Sequence, residues 1–179
     1  GEDTLSLHDA LPIFDSTVLL AKLLADGAEV VALSVDYGQR HRKEIDAARA
    51  VCARYGVEHV VADLSALRPL LAGSSQTDDA VVVPDGHYAE ETMKATIVPN
   101  RNMVLLAVAG ALAISRRVDA VAYGAHAGDH TIYPDCREEF VRPLAEALAL
   151  ASDKVQRALD GKDVKKVIVV PDRLVNLVA

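Results

Sequence analysis

The sequence predicts an α/β protein in which helices pack on a parallel sheet. Short, apolar, β-branched runs alternate with longer Ala-rich amphipathic ones, the pattern of repeated βαβ units. Hydrophobic residues make up 51% of the 179 and charged residues 25%, enough apolar material to bury a core and too much for a disordered chain. The unusual polar residues gather in loops that follow the strand-like runs, and ligands of parallel sheets bind at those carboxyl ends.

Residues 15–25 (DSTVLLAKLLA) fit a helix with Asp15 or Ser16 as N-cap and Gly27 as stop signal. Residues 29–36 (EVVALSVD) suit a buried parallel strand. Residues 40–55 read as a helix with Ile45, Ala48, Val51 and Cys52 on one face, ended by Gly56. Residues 57–63 read as a second strand and 64–71 as a short helix. Residues 72–100 are too long for an ordinary connector and suggest a binding loop or lid. An apolar helix over 102–118, a third strand over 119–124 (DAVAYG), a polar loop over 125–134 and a helix over 135–150 follow. A last strand is expected over 165–170 (KKVIVV).

The formal charge of −7 argues against a sequence-independent nucleic-acid binder, which needs excess cations to meet phosphates. No run is apolar and long enough for a membrane span, and the start of the chain has no basic region of a secretory signal. Cys52 and Cys136 are too far apart for a CxxC metal site and too few for a disulfide framework, so a reducing, cytoplasmic setting is expected.

Three segments carry candidate chemistry. In 36–41 (DYGQRH), Gly38 permits a tight turn, Tyr37 can stack on a base, and Arg40 and His41 can meet an anion; a plain strand-to-helix turn is the other reading. In 99–102 (PNRN), Arg101 at a helix start adds a bidentate phosphate partner to the free N–H groups. The other reading there is a helix start capped by Asn100 or Asn102. In 133–137 (YPDCR), Cys136 at a helix start is either an activated thiol or a structural one. His126, Asp129, His130 and Asp135 match no standard ligand spacing, so a solvated loop is preferred to a metal site. Asp15, Ser16 and Thr17 alone read as a helix cap.

Taken together, DST at 15–17, DYGQRH with EI at 36–45, PNRN at 99–102 and YPDCREEF at 133–140 resemble the 7-cyano-7-deazaguanine synthases of the PP-loop ATP pyrophosphatase superfamily. The resemblance covers about 15–150. It implies a Rossmann-like, adenine nucleotide alpha hydrolase-like fold lacking its first strand. It also implies ATP-dependent conversion of 7-carboxy-7-deazaguanine and ammonia to the nitrile, on the pathway to queuosine. ATP and Mg²⁺ are the implied cofactors, with a structural Zn²⁺ in the family. Small molecules are the implied partners, with no direct nucleic acid and no membrane, and a homodimer is compatible with it.

By the same resemblance, Asp15, Ser16 and Thr17 are the retained end of the pyrophosphate loop. Ser34, Asp36 and Tyr37 flank adenine or ribose, with Arg40 and Asn102 as further nucleotide contacts. Arg101 binds phosphate, and Tyr133, Asp135, Cys136 and Arg137 hold the deazaguanine or its carboxyl. Arg101, Asp135 and Arg137 are the catalytic candidates.

The chain also departs from the family pattern. Leu11, Pro12, Ile13 and Phe14 stand where Ser-Gly-Gly-x should precede Asp15, and the zinc-binding cysteine cluster has no counterpart after Cys136. Residues 1–14 resemble a translated sequencing adapter, and 151–179 resemble the C-terminal end of leucyl-tRNA synthetases. Both are therefore expected to be foreign to a core of 15–150, a truncated or inactive synthase. The competing readings are a non-catalytic adenine-nucleotide-binding module of the same architecture and, from the tail alone, a tRNA-interacting fusion.

Overall fold

The computed structural model describes residues 7–83, 93–118, 120–124, 132–159, 166–170 and 174–178. The chain divides into two compact units, Gly1–Pro99 and Asn100–Ala179.

The first unit runs α1 (Leu7–Ala25), β1 (Val31–Asp36), α2 (Lys43–Tyr55), β2 (Glu58–Asp63) and a 3-10 helix, Ser65–Leu71. β1 and β2 pair in parallel from Val31 opposite Glu58 to Asp36 opposite Asp63, so the segment between them is the predicted crossover. α2 packs on both strands and α1 packs on α2. Leu20, Val35, Ile45 and Cys52 are buried, as are Leu71 and Val98. Ala48 and Val51, expected on the same face of α2, are half-buried. Gly56 ends α2 at φ +69, its N–H reaching Ala53 O while the Val57 N–H reaches Cys52 O, a left-handed cap only glycine adopts without strain.

In the second unit, α3 (Arg101–Arg116) leads to a 3-10 turn, Pro134–Cys136, then α4 (Glu138–Leu150) and α5 (Asp153–Leu159). α3 and α4 cross closely, since a Cβ on Gly110 would lie 2.9 Å from Leu148 Cδ2. α4 also meets an antiparallel pair, β3 (Lys166–Val170) and β4 (Leu174–Val178). The parallel β–α–β pair and its helices give the expected α/β class, with two parallel strands among the described residues.

Several expectations are corrected. The helix expected to begin at Asp15 begins at Leu7, so neither Asp15 nor Ser16 is an N-cap. The helix-compatible residues before Asp15 extend it, and Pro12 already has a helical φ, at the cost of one hydrogen bond. α2 starts at Lys43 rather than at residue 40 because Arg40 is drawn into contacts with residues 76–81. α3 stops at Arg116, short of 118, where Arg117 turns left-handed at φ +56. Residues 120–124 form no strand, and Ala120, Val121 and Ala122 are exposed. The strand expected over 165–170 is present as β3, paired antiparallel with β4. The polar loop with His126, Asp129 and His130 lies outside the described residues.

Gly38 and Gly56 both hold positive φ, but a Cβ at Gly38 would sit 2.8 Å from Arg68 Cβ while Gly56 faces open space. Urea titrations should show Gly56→Ala losing about 1 kcal/mol and Gly38→Ala about twice that. Equal losses would contradict the close approach at Gly38.

Candidate functional site

The first cluster is built where β1 ends. A strand leaving a parallel ladder exposes N–H groups that need acceptors. Asp36, 3% exposed, supplies them: Oδ1 accepts the Gly38 N–H at 3.0 Å, and Oδ2 pairs with Arg42. Its backbone oxygen accepts the Leu64 N–H at 2.6 Å, tying the turn to the segment after β2. Gln39 completes the turn, accepting the Tyr37 N–H on Oε1 at 2.9 Å and donating from Nε2 to Val35 O at 3.3 Å. Tyr37 is itself buried.

Arg40 reaches across to the following long segment. Its Nε donates to Asp79 Oδ1 at 3.2 Å, and its terminal nitrogens donate to Val81 O and Asp78 O at 3.3 and 3.0 Å. Arg68 joins the same carboxylate at 2.7 Å and donates to Thr77 O at 2.8 Å. Hydrogen bonds from Arg40 and Arg68 hold the Asp79 carboxyl below the usual carboxylate range. Backbone N–H groups of Ala80 and Gly73 do the same for Asp78. In the same segment Ser74, Ser75 and Thr77 are buried, and the Ser75 hydroxyl has no hydrogen-bond partner.

Ser34 lies on β1, where its Oγ is 2.9 Å from Nε2 of His59 on β2. Asp15, Ser16 and Thr17 sit well inside α1, so their N–H groups belong to the helix ladder.

The second cluster forms at the start of α3. Asn100 precedes the helix at φ +53 and makes no side-chain cap. The cap comes from 33 residues away: Asp135 Oδ2 accepts the Asn102 N–H at 2.8 Å. Asn102 Nδ2 donates to Asp135 O at 3.3 Å and to Cys136 Sγ at 3.0 Å. Asn102, Asp135 and Cys136 are 7%, 6% and 4% exposed. The Arg101 guanidinium carbon lies 5.8 Å from the Tyr133 ring centroid, within cation–π range. Arg137 is exposed and precedes α4, its backbone oxygen accepting the N–H groups of Phe140 and Val141.

Of the expected site residues, Asp36, Tyr37 and Arg40 thus share one turn, with Ser34 just before it on β1. Arg101, Asn102, Tyr133, Asp135 and Cys136 form one cluster, with Arg137 adjoining it in sequence. Asp15–Thr17 belong to neither. The sequence reading missed Gln39, Arg68, Asp79 and the buried hydroxyls of 74–77. Gln39 lay within a quoted motif, whereas no spacing signal links Arg68 to Asp79. It also missed that neither Asn100 nor Asn102 supplies the side-chain cap of α3.

Fold and clusters define an α/β protein with its polar residues at the carboxyl end of a parallel strand and around one helix start. The sequence profile of the family described as Queuosine biosynthesis protein QueC matches residues 14–170, and the chain belongs to that family. It is 55% identical over 138 residues to a 7-cyano-7-deazaguanine synthase of Hahella chejuensis, covering 77% of this chain and 59% of that relative. It is 54% identical over 138 residues to 7-cyano-7-deazaguanine synthase 1 of Colwellia psychrerythraea, covering 77% and 63%. A synthase of Alteromonas mediterranea is 52% identical over 138 residues, covering the same shares. The chain spans about three fifths of the length of these curated relatives. Among the described residues no helix is long and apolar enough to cross a membrane.

Burial, reinforced by the Arg49 charge, holds the His59 pKa below its ordinary 6.5. The unfolded chain therefore takes up a proton more readily, so this contribution is complete above about pH 6.5 and is lost as pH falls below it. Denaturant titrations from about pH 7.5 to pH 5 should show a decline that His59→Gln reduces; an unchanged slope in the variant would contradict the assignment.

Proposed function

We propose that the chain is a 7-cyano-7-deazaguanine synthase-type enzyme acting on ATP, ammonia and 7-carboxy-7-deazaguanine. The observation that carries this reading is the family match over 14–170, which takes in DYGQRH, PNRN and YPDCR. In the proposed reaction the substrate carboxylate attacks the α-phosphorus of ATP and expels pyrophosphate. Ammonia then attacks the acyl-adenylate carbonyl, expelling AMP and leaving an amide. A second ATP activates the amide oxygen with loss of pyrophosphate, and departure of AMP with the nitrogen's protons gives the nitrile.

Arg101 has the charge and place to neutralise phosphate oxygens, with Tyr133 against its guanidinium. Arg137, exposed at the start of α4, is assigned to the substrate carboxylate. Ser34, Asp36 and Tyr37 shape the turn assigned to adenine and ribose, and Arg40 holds the segment over it. Asp15, Ser16 and Thr17 are assigned to the end of the pyrophosphate loop. With Leu11–Phe14 in place of the two glycines, backbone N–H groups are not freed to wrap pyrophosphate, and turnover is expected to be slow. Mg²⁺ would arrive bound to ATP. No ligand set is assigned to the family's structural zinc: Cys52 and Cys136 are each buried, and no metal-binding cluster exists among the described residues. A cytoplasmic location suits an enzyme that draws on ATP.

The test is AMP release from ATP by the purified chain, with each substrate omitted in turn. Release should require both the carboxylate and ammonia, and Arg101→Ala should lower it by about a hundredfold with an unchanged melting temperature. No release, or release at the normal rate in the variant, would overturn the assignment.

A further inference from the structure

The contacts at the start of α3 leave little of Asn102, Asp135 or Cys136 for a ligand. Asn102 has three N–H donors, one on the backbone and two on the side chain. The backbone N–H meets Asp135 Oδ2, and Nδ2 meets Asp135 O and Cys136 Sγ. All three residues are less than a tenth exposed. Asn100 makes no side-chain cap, so the Asp135 carboxylate serves as the cap from a distant turn. It also places a negative charge where the helix dipole favours one. Of the free N–H groups in the first turn, that of Asn102 is thus already taken by the protein's own carboxylate.

We propose that Asp135, Asn102 and Cys136 are positioning residues, a latch that fastens the 134–136 turn to the first turn of α3 and so sets Arg101 against Tyr133. This rests on the reading of Arg101 as the phosphate-binding group. It moves Asp135 and Cys136 from holding substrate, and Asn102 from holding nucleotide, to holding Arg101. Anion recognition at this helix start then rests on the Arg101 side chain, with the Asn102 N–H withdrawn from it. The Cys136 sulfur accepts the Asn102 Nδ2 N–H, so a serine hydroxyl should replace it there, whereas alanine leaves that buried donor unsatisfied.

The test combines amide hydrogen exchange with calorimetric titration of inorganic pyrophosphate, on the full chain and on Asp135→Ala, Cys136→Ala, Cys136→Ser and Arg101→Ala. The amide at position 102 should be protected in the wild type and in Cys136→Ser. Asp135→Ala should exchange it at least about tenfold faster. Pyrophosphate affinity should fall about tenfold in Asp135→Ala and Cys136→Ala, recover in Cys136→Ser, and vanish in Arg101→Ala. Should Asp135→Ala unfold, the two Cys136 variants make the same comparison.

Unchanged affinity in Cys136→Ala, or serine as damaging as alanine, would overturn the positioning role. So would faster exchange at position 102 when pyrophosphate is added to the wild type, because the ligand would then displace Asp135. If the wild type binds no pyrophosphate, the phosphate reading falls and the positioning role with it. In that case the exchange result for Asp135→Ala still decides whether the latch itself exists.

Discussion

A chain that leaves a parallel strand, or begins a helix, carries backbone N–H groups for which regular structure has no acceptor. In both units a buried aspartate meets that demand. Asp36 gathers the Gly38 N–H and the Arg42 guanidinium on its carboxylate, while its backbone oxygen takes the Leu64 N–H. The end of β1, the approach to α2 and the segment after β2 are thereby fixed around one residue. Asp135 does the same for the second unit by capping α3. Without these carboxylates each turn would bury unpaired donors, a cost of about 1–3 kcal/mol apiece.

This has a chemical consequence. A carboxylate that satisfies the backbone is not free to serve a substrate, which is why the proposed function gives anion recognition to cationic side chains. In the first unit even Arg40 is committed, since its guanidinium holds Asp79 and two carbonyls of the 78–81 segment. In the second, the Arg101 guanidinium lies within cation–π range of the Tyr133 ring. The proposed division between residues that hold the turns and residues that meet phosphate rests on hydrogen-bond supply rather than on residue type.

Much of the first unit was legible from local pattern. β1, β2, the body of α2 and its end at Gly56 all follow from periodicity and cap chemistry, which act within a few residues. What was not legible depends on distant partners. The cap of α3 looked like Asn100 or Asn102 because caps are usually local, yet it is Asp135. The helix start assigned to Asp15 failed because nothing in DST distinguishes an N-cap from the interior of a longer helix. The run 119–124 has strand composition, but a parallel strand exists only where a neighbour accepts its hydrogen bonds. In the candidate site, the motifs fall on two hydrogen-bonded turns, while the Arg40–Asp79–Arg68 contacts carried no signal in spacing.

The proposed activity, conversion of a deazapurine carboxylate into a nitrile with consumption of ATP, would leave its mark on the base itself. The most direct measurement is mass spectrometry of the base after incubation with ATP and nitrogen-15 ammonia. The proposed steps give first the labelled amide and then the labelled nitrile, both absent when ATP is withheld. Recovery of the unmodified carboxylate, in the presence of folded protein and all substrates, would contradict it.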